Sequence, residues 1–127
     1  MEPNLIMQTA LVLFAIAAVG GIVMATIRFS GKPHPPTWLA MLHGFLAGAG
    51  LTLLIYAACT VGLPTLALTA TALFIVAALG GVVMNLNYHW KMLPLPKWLV
   101  LVHATIAVVG FLCLLVAVWP TFSQNAA

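Results

Sequence analysis

Few side chains in this sequence can do chemistry, and four of them are histidines: His34, His43, His89 and His103. Beside them stand Cys59, Cys113, six methionines and one acid, Glu2. Imidazole is the commonest protein ligand for a transition metal, so the placement of the histidines decides what the chain could bind. Two of them are placed alike. Trp38-Leu39-Ala40-Met41-Leu42-His43 returns as Trp98-Leu99-Val100-Leu101-Val102-His103, and a shift of 60 residues aligns the two halves without a gap. The same shift pairs Thr9 with Thr69, Ala10 with Ala70, Phe14 with Phe74, Ala17 with Ala77, Gly20-Gly21 with Gly80-Gly81, Met24 with Met84, Pro36 with Pro96 and Gly50 with Gly110. Matched Trp, His, Pro and paired Gly are hard to obtain by chance from apolar composition alone, so the chain is read as an internal repeat.

The elements that carry these residues follow from composition. With 65% hydrophobic and 4% charged residues in 127, and a mean hydropathy of +1.21, the sequence is incompatible with a water-soluble globule, which uses about 25% charged residues. Four windows are long enough to span a hydrocarbon core, which needs about 20 apolar residues. They are Leu5 to Ile27, Thr37 to Cys59, Leu66 to Tyr88 and Lys97 to Trp119. The first window is read as a retained helix and not as a signal peptide, because the residues before it include Glu2 and no Lys or Arg. Between the windows, Arg28 to Pro36 and Lys91 to Lys97 are proline-rich loops, Thr60 to Thr65 is a tight uncharged turn, and Thr121 to Ala127 is a polar tail.

The expected fold is therefore all-α: a single transmembrane domain over 1–127, an up-down-up-down four-helix bundle made of two parallel two-helix repeats at about 5–59 and 66–119. Arg28, Lys32, Lys91 and Lys97 all flank the first and third connections. Basic loops stay in the cytoplasm, so both termini are expected outside it, in a bacterial inner membrane. Trp38 and Trp98 are read as interfacial anchors. No phosphate-cradling glycine loop, hydrolytic triad or nucleic-acid surface is present, and the cysteines suggest no disulfide.

Matched positions 39, 43, 47, 50, 54 and 57 form one stripe down the second helix, and 10, 13, 14, 17, 20, 21 and 24 do the same on the first. Faces kept by both halves are expected to meet, with His43 and His103 opposed across the bundle centre. His43 lies five residues beyond Trp38, about 7 to 8 Å in depth, and Gly20-Gly21 lies about 11 Å before Arg28 by the same helical rise. Two helices thus supply an imidazole at the level where the other two lose their side chains. A flat macrocycle held edge-on between four helices needs that combination, with axial nitrogens on opposite faces and bare backbone at its edges. One haem b is the expected cofactor, with His43 and His103 as axial ligands. Gly20, Gly21, Gly80, Gly81, Met24 and Met84 would pack against it, and Arg28, Lys32, Lys91 and Lys97 would face its propionates. The remaining imidazole N–H is expected to reach the carbonyl one turn back, at Leu39 or Leu99.

With this arrangement the chain resembles the membrane cytochromes b, four-helix bundles that hold b-type haem between histidines of facing helices with glycines opposite. The resemblance covers the bundle, the His43/His103 pair and the two glycine pairs, and it is architectural. Those proteins usually carry two histidines per ligand helix, whereas the deeper positions here are near Tyr56 and Val116, so it implies one haem. A second, using His34 or His89, stays open. The implied function is electron transfer with a quinol or another redox partner, as an electron-transfer protein or an oxidoreductase.

Two other readings are carried. A pair of membrane histidines also serves as interhelical hydrogen-bonding residues in a haem-free interaction or assembly protein. His43 and His103 with Met24 and Met84 could instead bind or transport copper; zinc lacks inward-facing Cys or carboxylate ligands. His34 and His89, unmatched by the repeat, are read as exposed loop histidines or second-site ligands, with His89 the better placed. Gly44 and Gly48 form a small-xxx-small pattern that would suit a homodimer face.

Overall fold

The computed structural model describes residues 2–125, with side chains through Pro120. It is all-helical: α1 (Pro3–Phe29), α2 (Thr37–Thr60), α3 (Thr65–Met84) and α4 (Lys97–Asn125), with α3 continued by a π-helical turn over Asn85–His89. All four helices are long and apolar enough to cross a membrane.

Proline and glycine set the boundaries. Pro3 occupies the first turn of α1, where its missing N–H costs nothing. Gly31, at φ 106°, turns the chain out of α1, and Pro35-Pro36 delays the next helix until Thr37. Gly62, at φ 80°, and Pro64 make the turn between α2 and α3. Two boundaries differ from the sequence expectation. α4 runs on through Pro120 to Asn125, so the expected polar tail is helical up to that point. Proline's fixed φ suits a helix, and so near the end of α4 the loss of one backbone hydrogen bond is tolerated. The third helix widens into the π turn where the first stays α-helical to Phe29, which breaks the symmetry of the halves.

α1 packs chiefly on α2 and α3 on α4, and the α1–α4 and α2–α3 contacts close the ring. This places α1 opposite α3, and α2 opposite α4. The buried residues follow the repeat-matched stripes: Ala10, Phe14 and Ala17 with Ala70, Phe74 and Ala77, and Leu54 with Leu114. The matched tryptophans stay outside, Trp38 at 67% and Trp98 at 64% exposure. The apolar core is concentrated toward the α2–α3 turn, around Met7, Leu11, Phe14, Leu54, Ala67, Phe74, Leu114 and Val118. At its centre Phe14 and Phe74 stack with ring centroids 3.7 Å apart and planes 5° from parallel. Gly50 and Gly110 give these rings room: a Cβ on Gly50 would stand 3.0 Å from Phe14, and one on Gly110 3.4 Å from Phe74. In that half α1 and α3 contribute bulk and α2 and α4 contribute clearance.

Candidate functional site

Toward the loop end the roles reverse. α2 and α4 supply His43 and His103, and α1 and α3 supply Gly20-Gly21 and Gly80-Gly81. A Cβ on Gly21 would lie 3.2 Å from His43 Cε1, and one on Gly81 3.5 Å from His103 Cε1. Each imidazole therefore lies on the bare backbone of the preceding helix in its own repeat. The glycine clearance expected for macrocycle edges is filled, at least over these faces, by the histidine rings themselves.

The same approach corrects the expected hydrogen bond. His43 Nδ1 lies 2.8 Å from the Ala17 carbonyl, and His103 Nδ1 lies 2.8 Å from that of Ala77. The acceptors are on the neighbouring helix and are not Leu39 or Leu99. All four carbonyls already accept a helical N–H and keep a second lone pair, and those of Ala17 and Ala77 are the ones the rings reach, over glycines with no side chain to screen them. A carbonyl only accepts, so Nδ1 carries the proton and donates, which leaves Nε2 of the neutral ring as a free lone pair. The two halves fix the same tautomer.

The opposed rings of His43 and His103 have centroids 6.2 Å apart, inclined at 66°. With metal–nitrogen bonds of about 2 Å and about 1.1 Å from nitrogen to ring centre, two imidazoles on opposite sides of one ion have centres about 6.2 Å apart. The pair thus has the spacing of trans ligands and the lone pairs such ligands need. Met24 and Met84 are half-buried at the same end. Among the described residues no three of His, Cys, Asp and Glu gather into a metal-holding group.

The basic residues divide. Arg28 is half-buried and donates through Nε to the Leu95 carbonyl at 2.7 Å and through Nη1 to the Lys32 carbonyl at 3.3 Å. The Leu95 N–H in turn donates to the Pro33 carbonyl at 3.0 Å, so Arg28 closes a clasp between the two proline-rich loops. Lys32, Lys91 and Lys97 are exposed, and Lys97 Nζ stands 5.5 Å over the Phe29 ring.

His34 and His89 are not the exposed loop histidines of the first alternative. His89 is 4% exposed, His34 is half-buried, and their rings meet edge to face with centroids 5.1 Å apart. His89 Nε2 lies 3.1 Å from Thr37 Oγ1. This second pair and the Arg28 clasp were invisible to the repeat, because position 34 aligns with Pro94 and position 89 with Phe29. The clustering of prolines in both loops is the one signal that hinted at rigid, dockable segments. Gly44 and Gly48 face outward, with open space where a Cβ would be. Cys59 is exposed, Cys113 is half-buried, and both are free. Comparison with protein-family models, with curated proteins and with solved structures gives no match.

Proposed function

We propose that this chain is a membrane b-type cytochrome that holds one haem b between His43 and His103 for electron transfer. The observation that carries the reading is the opposed pair itself: two imidazoles 6.2 Å apart, each with Nδ1 committed to a carbonyl and Nε2 left to ligate. Haem bound there would supply a one-electron couple. The chain's own part would be to hold both rings in one tautomer, so that His43 and His103 would hold the group, with the apolar core beneath the pair. In this reading the helices run up-down-up-down across a bacterial inner membrane, with both termini outside and the basic loops in the cytoplasm. Lys32, Lys91 and Lys97, exposed at that end, would meet the propionates, with Arg28 bracing the loops between them. The redox partner would be a quinol or another carrier at the cytoplasmic face.

The test is optical. Protein purified from haem-replete cells should be red and show sharp low-spin b-type bands on reduction. His43→Ala and His103→Ala should each abolish them, and colourless protein overturns the assignment.

One observation favours a second reading, the haem-free interaction or assembly protein. The bonds to Ala17 and Ala77, with the glycine packing, give both imidazoles a purely structural role as ties between neighbouring helices. In that case the wild type is colourless, and the histidine variants lose stability alone. Copper held by Met24, Met84 and the same histidines would instead give a bound copper ion that is lost in Met24→Leu.

A further inference from the structure

From the His34/His89 pair we infer a second, separate site, for a single divalent ion of the nitrogen-preferring class: Zn2+, Cu2+ or Ni2+. Three observations converge on it. The first is ring spacing. With ring centres about 3.1 Å from a shared ion, centroids 5.1 Å apart correspond to a nitrogen–metal–nitrogen angle of about 110°, the tetrahedral value. The central pair has the spacing of trans ligands, and this one has the spacing of neighbouring ligands.

The second is a backbone device present in one half only. In α1 the repeat position equivalent to His89 is Phe29, which is 43% exposed on a regular helix. In the second half the turn Asn85–His89 is π-helical, and His89 is 4% exposed. A π turn holds one residue more than an α turn and costs helical regularity, and such turns concentrate at functional sites. Here it accompanies the turning inward of a histidine, onto a histidine that the loop of the other half presents.

The third is the remaining coordination. Thr37 Oγ1 is hydrogen-bonded to His89 Nε2 at 3.1 Å, close to the separation of about 3.3 Å between two ligand atoms of a tetrahedral ion, so an ion would displace that bond and keep the hydroxyl as a weak third ligand. Thr37 and His34, though not His89, also line an open groove of about 480 Å³ with Ser30 and Lys32, from which water would supply the fourth ligand. The surroundings set the class of ion. The chain's only acid, Glu2, precedes α1 and lies a helix length from this loop, so Mg2+ and Ca2+ find no carboxylate. Arg28 is directed to carbonyls and Lys97 to the Phe29 ring, which leaves Lys32 as the basic side chain sharing the groove.

The full-length protein in detergent, titrated calorimetrically with Zn2+, tests the site. One Zn2+ per chain is expected, weakened at least tenfold in His34→Ala and in His89→Ala, unchanged in His43→Ala and retained in His89→Cys. Cu2+ should show electron-spin couplings to two imidazole nitrogens that persist in His43→Ala and fall to one in the conservative variants His34→Gln and His89→Gln, which keeps the test valid if an alanine variant misfolds. Absence of saturable binding, binding indifferent to both alanine variants, or binding that follows His43 each overturns the inference. The haem reading is scored separately, by the colour of the same preparations.

Discussion

Gly21→Ala and Gly81→Ala should have different consequences, although the repeat makes the two positions equivalent. At Gly81 an added Cβ would lie 3.5 Å from His103 Cε1, an ordinary van der Waals contact. Replacing a helical glycine by alanine then contributes up to about 1 kcal/mol, which for a chain of this size raises Tm by about 3 to 5 °C. At Gly21 the Cβ would be 3.2 Å from His43 Cε1, tighter by 0.3 Å. The ring cannot retreat along its own plane without lengthening the 2.8 Å bond from Nδ1 to the Ala17 carbonyl. A displacement of a few tenths of an ångström carries that bond to about 3.1 Å, the long end of the ordinary range, and its weakening, with the compressed contact, offsets the propensity gain. The propensity gain and the contact loss then cancel, and Gly21→Ala should melt within about 1 °C of wild type. If haem is bound, its absorption bands should shift in Gly21→Ala and not in Gly81→Ala. Thermal unfolding and spectra of the purified variants decide. Equal stabilisation by both substitutions, with identical spectra, would refute the assignment of glycine clearance to the histidine rings.

Further predictions address the rest of the bundle. Phe14→Ala or Phe74→Ala removes half of the central stack and should cost about 3 to 5 kcal/mol, read as a loss of Tm greater than that of any single surface change. Arg28→Ala opens the loop clasp, at a cost of about 1 to 3 kcal/mol, and should raise amide exchange at Leu95 while leaving the Phe14/Phe74 core protected. Cys59, exposed at the end of α2 away from the basic loops, should react with a membrane-impermeant maleimide added to intact cells; labelling only after lysis would reverse the proposed orientation. Gly44→Leu or Gly48→Leu should raise Tm by a few °C in a monomer, through helix propensity, and disrupt cross-linked dimers if that open face pairs two copies.

Helix number, the helix boundaries at the two proline-rich loops and the Gly62-Pro64 turn, and the inward stripes were legible because they rest on period and composition, whereas α4 continues through Pro120 where the sequence reading ended it. The depth match between His43 and Gly20-Gly21 was legible for the same reason, since it needs only the rise per residue. The purpose of the glycines was not. Whether the space over Gly21 is filled by a ligand or by the imidazole facing it depends on how closely α1 approaches α2, and no spacing along the chain encodes that approach. His34 and His89 were misjudged where the repeat fails, because a π turn shifts the register of one residue without leaving a mark in apolar periodicity. Arg28 looked like one more topology-setting cation, and its engagement with Leu95 depends on two loops 67 residues apart folding against each other.

The bond from His43 to Ala17 and that from His103 to Ala77 each span 26 residues and lie within one helical hairpin. During synthesis the first hairpin can therefore orient its imidazole before the second has left the ribosome. What neither hairpin can set alone is the distance between the two rings. That distance is fixed only when Phe14 meets Phe74 and the hairpins join. Assembly thus separates into two private events and one shared event.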